Sequence, residues 1–347
     1  MKALFAHGAK DLRLGALEPA PLGPGQLRVA VKRGGICGSD LHYYLHGGFG
    51  TVRLREPMIL GHEISGEVVE TGTDMQGGEQ GLKPGDLVAV SPSRPCGTCQ
   101  YCLRGLPNQC ENMRFYGSAM PFPHIQGAFR EEIVVEAAQC VPAHGLSPAA
   151  AAMAEPLAVG LHAVRRAGDL LGKPVLVTGC GPIGVLVILA LRAAGVGEIT
   201  ATDIDDRALG FARQAGADRL LNTRSDPDAL AADSSGKGRF AALFECSGNG
   251  AALTRGIAAL APRGVIIQLG MTGETSLPLL PIIAKELELR GSFRFHEEFA
   301  TAVQMMQAGR INPDFLLTHS LPLSDFAEAF DTAADRSRAM KVQLEFT

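Results

Sequence analysis

Val175-Leu-Val-Thr-Gly179-Cys-Gly181-Pro-Ile-Gly184 runs from a short apolar, β-branched segment through three spaced glycines into the helix-forming stretch 185–194. Each glycine has a physical task in a dinucleotide loop. Gly179 permits the tight turn, Gly181 lets the backbone approach a pyrophosphate, and Gly184 lets helix and strand pack closely. Pro182 and Ile183 open the helix, whose N-terminus presents free N–H groups to negative charge. Three glycines alone are a weak signal, and a glycine turn in a nucleotide-free α/β protein is the alternative. Asp203, at the end of the next β-type run, strengthens the nucleotide reading. A carboxylate there accepts a hydrogen bond from a ribose 2′-hydroxyl and repels a 2′-phosphate, which favours NAD. Arg207, four residues on, is the feature that leaves NADP open. Leu269 and Met271, just past a later β-type run, are further expected cofactor contacts.

The same texture extends outward. Apolar runs at 174–178, 198–202, 219–221, 240–244, 264–268 and 287–290 alternate with helix-like segments, the pattern of a doubly wound parallel sheet. Upstream, β-type runs at 26–32, 65–70, 86–90 and 132–136 are separated by turn signals such as Pro24-Gly25 and Pro84-Gly85, so a β-rich domain comes first. The predicted organisation is α/β. A β-rich domain covers 1–146, the nucleotide-binding domain covers 147–290, and 291–347 returns to the first domain through the run 341–346.

The composition narrows the class. Hydrophobic residues make up 46% and charged residues 20% of 347, enough to fill cores in about two domains. A net charge of −4 offers no basic surface for nucleic acid or an anionic membrane. No apolar run approaches the roughly 20 residues that span a bilayer, and 1–15 lacks the apolar centre of an export signal. A cytoplasmic location is therefore expected, in which the eight cysteines are metal ligands and core residues rather than disulfides.

Cys96, Cys99, Cys102 and Cys110 follow a C-x2-C-x2-C-x7-C spacing in a Gly/Pro-rich loop. Four thiolates complete a tetrahedral zinc shell and leave no open position, so this is a structural site. Free buried thiols are the alternative. A nucleic-acid finger is disfavoured by the lack of a basic helix and by the chain's net charge of −4.

Cys37, in Gly34-Gly-Ile-Cys-Gly-Ser-Asp-Leu-His42, and Gly61-His62-Glu63-x-x-Gly66-x5-Gly72 resemble the zinc-dependent medium-chain alcohol dehydrogenases, as does the four-cysteine loop. The resemblance covers essentially the whole chain. It implies a GroES-like β-rich catalytic domain, a Rossmann domain, and a cleft between them for zinc and nicotinamide. It implies two zinc ions per chain. Cys37, His62 and Glu155 would hold the catalytic one, with Glu63 beside them or exchanging as a ligand, and Ser39 and His42 at proton-relay positions. A mixed ligand set of this kind leaves a position open for substrate. Taken singly, Cys37 and His62 read equally as core residues.

Ala154-Glu-Pro-Leu-Ala-Val159, Arg114-Phe-Tyr-Gly-Ser-Ala-Met120 and Arg290-Gly-Ser-Phe-Arg-Phe295 resemble the polyol-dehydrogenase branch of the family and its sugar-acid members. The implied substrate is a secondary alcohol of a sugar acid or polyol. A carboxylate-bearing substrate needs a cation, and an arginine fork suits it. Arg294 and Arg114 are the candidates, with Tyr43 and Phe115 lining the sugar chain. The family also implies a homodimer or homotetramer. A non-catalytic, zinc-stabilised nucleotide-binding protein is the rival class; it would hold one zinc rather than two.

Overall fold

In a computed structural model, residues 1–73, 81–271 and 273–346 are described. They form two compact units, one comprising 1–155 with 299–347 and the other 156–298. The unit boundaries fall later in the chain than the change in sequence texture near 147 and 291. The reason is local packing: Pro148 O accepts from Ser65 Oγ (2.6 Å) and Ala149 O from Gln343 Nε2 (2.9 Å), which holds residues 148–155 on the first unit.

The first unit contains β1 (Lys2–Gly8), β2 (Asp11–Ala16), β3 (Gln26–Gly35), α1 (Gly38–His46), the hairpin β4 (Gly48–Phe49) and β5 (Val52–Arg53), β6 (Met58–Ile59) and β7 (Glu63–Thr71). It continues with β8 (Leu87–Val90), β9 (Ser93–Arg94), α2 (Gln100–Leu103), β10 (Arg114–Phe115), β11 (Glu132–Glu136), β12 (Cys140–Pro142) and α3 (Pro148–Ala152). Helix α4 (Ala154–Ala167) then leads into the second unit. The main sheet runs β12-β8-β7-β3-β20-β19, with β11 also on β3, where β19 (Leu317–Pro322) and β20 (Lys341–Glu345) are C-terminal strands. Strand β3 alternates buried and half-buried residues, sending Leu27, Val29 and Val31 into a core shared with Phe129, Phe330 and Phe346.

The second unit is a six-stranded parallel sheet. Its elements are β13 (Pro174–Thr178), α5 (Pro182–Ala193), β14 (Glu198–Asp203), α6 (Asp206–Gln214), β15 (Arg219–Asn222), β16 (Phe240–Glu245), α7 (Gly250–Ala259), β17 (Leu260–Gln268), α8 (Leu279–Ala284) and β18 (Glu288–Gly291). The order β15-β14-β13-β16-β17-β18 reverses direction between β13 and β16, which is the Rossmann arrangement and opens a crevice at the carboxyl ends of those two strands. Strand β13 is buried on both faces, as a central parallel strand must be. Helices α9 (Glu298–Gln307) and α10 (Phe326–Ala334) complete the chain. Among the described residues, no helix is long and apolar enough to cross a membrane.

In the second unit a buried carboxylate, Glu298, holds the end of the 291–298 segment. Glu298 accepts from His162 Nδ1 (3.2 Å) and the His296 N–H (3.0 Å) and pairs with Arg165 (3.0 Å). Burial pushes the Glu298 carboxyl up, but the hydrogen bonds from His162 and backbone N–H groups outweigh it and hold the group at about 2, against the usual 4.5. A depressed folded value contributes stability above pH 4.5 that is lost as pH falls from there toward 2. Glu298→Gln should therefore cost about 2 kcal/mol at pH 7 and flatten the acid limb of the stability profile across that window. Thermal unfolding at a series of pH values checks this; an acid limb as steep as that of the parent would refute it.

Candidate metal centres and nucleotide site

The four-cysteine loop closes on itself. Cys99 sits at the N-terminus of α2 and Cys102 inside it, while Cys110 ends a short 3-10 turn. The ligand atoms of Cys96, Cys99, Cys102 and Cys110 lie within 4.8 Å of one another. Backbone N–H groups point at the sulfurs: Cys96 N donates to Cys110 Sγ (3.2 Å), Cys99 N to Cys96 Sγ (3.3 Å) and Asn112 N to Cys110 Sγ (3.3 Å). Hydrogen bonds from Thr98, backbone first, pull the Cys96 thiol down to about 5, whereas burial pushes Cys102 up to about 12. Four soft donors converging in this way, with N–H groups favouring thiolate, fit a tetrahedral zinc and leave no site for substrate.

The second cluster is assembled from three segments of the first unit. Cys37 caps α1, and its N–H donates to Asp40 Oδ2 (2.9 Å). Asp40 Oδ1 accepts from Gly61 N (3.1 Å) and lies 3.8 Å from His62 Nδ1. Asp40 thus pins both ligand-bearing segments from a fully buried position. Ligand atoms of Cys37, His62 and Glu63 lie within 4.8 Å of one another. His62 Nδ1 is buried and has no hydrogen-bond partner among the described residues. Burial pushes the Cys37 thiol up to about 12, with Glu63 adding to the rise and Lys341 opposing it. Glu63 forms a buried ion pair with Lys341, whose Nζ also donates to Ile36 O (3.1 Å). Gly35, paired with Glu63 across β3 and β7, carries no side chain that would collide with that ion pair.

Glu155, at the start of α4, is buried beside this group but is not one of the three that converge. Burial holds its carboxyl well above the usual carboxylate range, while His62 draws it down. Among the described residues its carboxyl has no hydrogen-bond partner. A thiol, an orphaned imidazole nitrogen and two buried carboxyls are a donor set that suits a divalent zinc.

Ser39 and His42 share one face of α1, three residues apart. The Ser39 hydroxyl hydrogen-bonds Cys37. His42 is half-buried, with its ring 6.1 Å from His46 and 6.0 Å from Phe49. Burial, then the charges of His46 and Arg336, lower its pKa, so the imidazole is neutral at pH 7 and able to accept a proton.

One expected substrate residue is corrected. Tyr43 is only 2% exposed and its hydroxyl accepts from Ala119 N (3.0 Å), so it packs the core against Phe49. Arg114 and Phe115 are neighbours on β10, and strand alternation sends them to opposite faces. Phe115 is buried with its ring 5.5 Å from that of His62, which leaves Arg114 exposed, opposite Arg94. Arg294 lies in the second unit with φ 57° and its guanidinium 4.7 Å from the centre of the Phe293 ring. A left-handed backbone at a non-glycine residue costs energy and is concentrated at functional positions.

The loop 179–181 joins β13 to α5. Gly179 has φ 86°, and a Cβ there would sit 2.7 Å from Ser247. A Cβ on Gly181 would meet nothing in the protein, so the space before α5 is open to a ligand. Gly184 packs against the Gly179 carbonyl. Pro182 and Ile183 form the first turn of α5. Asp203 accepts from Cys180 N (2.6 Å), Ile204 N (2.7 Å) and Asp205 N (3.1 Å), which ties the end of β14 to the loop. Arg207 is exposed, with its guanidinium 5.7 Å from the Phe211 ring centre. Leu269 N donates to Glu245 O (2.9 Å), and Met271 is exposed just beyond it. The remaining cysteines, Cys140, Cys180 and Cys246, are free thiols, the first two fully buried.

Asp40 and Lys341 carry this geometry and were not singled out from the sequence. Asp40 had a local signal, three residues after Cys37 in a helix-capping position. Lys341 had none, because its partner is remote in the chain.

A β-rich unit with two zinc-type clusters, together with a Rossmann unit, defines a class, and comparison with known proteins agrees. The chain belongs to the zinc-binding alcohol dehydrogenase family: the alcohol dehydrogenase GroES-like domain model matches residues 23–145, and the zinc-binding dehydrogenase model matches 182–308. It is 44% identical over 325 residues to L-idonate 5-dehydrogenase (NAD(P)(+)) of Escherichia coli K12, covering 92% of this chain and 91% of that one. It is 33% identical to sorbitol dehydrogenase of Bos taurus, over 99% of this chain and 95% of the relative. The crystal structure of L-idonate 5-dehydrogenase from E. coli K-12 superposes with a TM-score of 0.94 at 41% identity, over 99% of this chain and 98% of that one.

Proposed function

We propose that this enzyme oxidises the C5 hydroxyl of L-idonate to 5-keto-D-gluconate, reversibly, with NAD(P). The observation that carries the substrate is the 44% identity with an L-idonate 5-dehydrogenase across nearly its full length, against 33% for a sorbitol dehydrogenase. Cys37, His62 and Glu155 would hold the catalytic zinc, with Glu63, paired to Lys341, in reserve as an exchanging ligand. When bound, zinc supplies a Lewis acid that lowers the pKa of a hydroxyl. NAD(P) supplies the hydride acceptor. The protein's own part is to hold and move. Ser39 takes the hydroxyl proton and passes it to His42, a neutral base one helical turn along α1. Asp203 receives the ribose hydroxyls, and the N-terminus of α5 faces the pyrophosphate.

Arg294 is the carboxylate-binding residue of this reading, its backbone held in the left-handed region. The second unit has an open edge strand, β18, bearing Glu288 and Arg290 on one face and exposed Leu289 on the other. Antiparallel pairing with a second copy about Leu289 would set Glu288 against Arg290, which supports a homodimer or homotetramer. The location that follows for such an enzyme is the cytoplasm.

Steady-state kinetics with L-idonate, D-gluconate, sorbitol, xylitol and L-threonine, each with NAD and NADP, tests the assignment. L-idonate should give the highest kcat/KM, and a higher value for sorbitol would reverse it. Arg294→Ala should raise KM for L-idonate by roughly 10- to 100-fold, the worth of a charge-assisted pair, and leave KM for sorbitol within a few-fold.

A further inference from the structure

Glu245, the last residue of β16, is fully buried at the carboxyl end of the sheet, and among the described residues no lysine, arginine or histidine lies within ion-pair distance of it. Its carboxylate is surrounded by neutral donors. Oε1 accepts from Ser247 N (2.9 Å), Gly248 N (3.1 Å), the Ser247 hydroxyl and, at 3.5 Å, Thr178 Oγ1. Oε2 accepts from Gly248 N (3.0 Å) and Gln268 Nε2 (2.7 Å). The Glu245 carbonyl accepts from Leu269 N (2.9 Å) and Gly270 N (2.8 Å). One residue therefore joins the ends of β13, β16 and β17, the strands that frame the crevice where the order reverses. Gly179 of the nucleotide loop rests against Ser247, which Glu245 holds.

Fixing loops does not require a charge. Neutral acceptors such as backbone carbonyls or a water could satisfy the same N–H groups without the desolvation cost of a buried anion. The position of the charge suggests its use. Asp203 marks the half built on β13, β14 and β15 as the adenosine side, so the half built on β16, β17 and β18 takes the nicotinamide nucleotide. The nicotinamide ring is cationic when oxidised and neutral when reduced. An uncompensated negative charge in a low-dielectric setting beneath that half favours the cationic form.

Resting on the nucleotide reading above, we propose that Glu245 is a positioning residue whose unpaired buried charge biases the site toward NAD+ over NADH. It does so by stabilising the oxidised ring electrostatically while the same carboxylate fixes the loops around it. The bias sets how easily reduced cofactor leaves and thus which direction of the reaction the enzyme favours.

The test is the ratio of dissociation constants for NAD+ and NADH on the zinc-loaded enzyme, measured by calorimetry and by NADH fluorescence. Glu245→Gln should weaken NAD+ by about tenfold while NADH stays within about twofold, the effect expected of removing one negative charge that favours a cationic ring. Glu245→Asp keeps the charge but loosens the loops, so it should weaken both forms together and preserve the ratio. Gln268→Lys leaves Glu245 and its backbone donors in place but supplies a cation, and should reproduce the Glu245→Gln shift; it carries the test if Glu245→Gln does not fold. Equal weakening of both nucleotides in Glu245→Gln and Gln268→Lys would reduce Glu245 to a loop tether and overturn the proposal. Failure of the parent enzyme to bind either nucleotide would instead overturn the nucleotide reading on which it rests.

Discussion

Cys37→Ser should lower kcat by at least about 10³-fold while the protein stays folded and keeps one of its two zinc ions. A Lewis acid that stabilises the developing alkoxide contributes several kcal/mol, and each 1.4 kcal/mol is a factor of ten in rate. A serine hydroxyl is a poor zinc ligand beside a thiolate, so the site formed with His62 loses its softest donor. The four-cysteine loop is built from residues 96–110 and shares none of its ligands with Cys37, so its metal should remain. Metal analysis of the purified variant should read one zinc per chain, and activity near that of the parent would remove Cys37 from the mechanism. The same measurement separates the two carboxyls. Glu155→Gln should also fall to one zinc, because that buried carboxyl has no other hydrogen-bond partner among the described residues. Glu63→Gln should keep two, because Glu63 is already committed to Lys341.

Lys341→Met should be among the most destabilising single changes in the molecule. The lysine and Glu63 are both buried, and removing the cation leaves a carboxylate with no charge partner. Breaking a buried pair in this way costs about 3–5 kcal/mol, much more than the net worth of the pair. At about 2–4 °C per kcal/mol for a unit of this size, the melting temperature should fall by roughly 10 °C. The double variant Lys341→Met, Glu63→Leu removes the stranded charge and should regain most of that loss. A single variant that melts within a degree of the parent would show that the pair contributes nothing measurable.

These predictions draw on parts of the molecule that were legible to different degrees. The Rossmann unit was readable almost strand by strand, because parallel βα units are local in sequence: the apolar run, the glycine turn and the helix start are adjacent. The four-cysteine cluster was readable for the same reason, with all four thiols inside fifteen residues. The second cluster was legible only through family resemblance, since Cys37, His62 and Glu63 are brought together from separate segments by helix capping and sheet pairing that no short window of sequence contains. Arg114 and Tyr43 illustrate what residue type alone cannot decide. Which way a β10 side chain faces depends on register with β9, and which face of α1 is inward depends on the sheet beneath it. Asp40 lay in plain view inside a quoted motif, but its task of joining Cys37 to Gly61 appears only in three dimensions.

The pairing of β20 with β3 gives the two metal sites different birthdays on the ribosome. The four-cysteine loop has all its ligands once residue 110 has emerged, so it can take metal while most of the chain is still unmade. The parallel sheet of the second unit is next to become complete, at residue 291. The cluster of Cys37, His62 and Glu63 lacks its counter-charge until Lys341 arrives on β20, although its own residues are all translated by residue 63. Through most of synthesis the nascent protein therefore holds a buried-to-be carboxylate without its counter-charge. A chain that ends before residues 341–345 lacks both the cation that neutralises Glu63 and the strand that pairs with the end of β3.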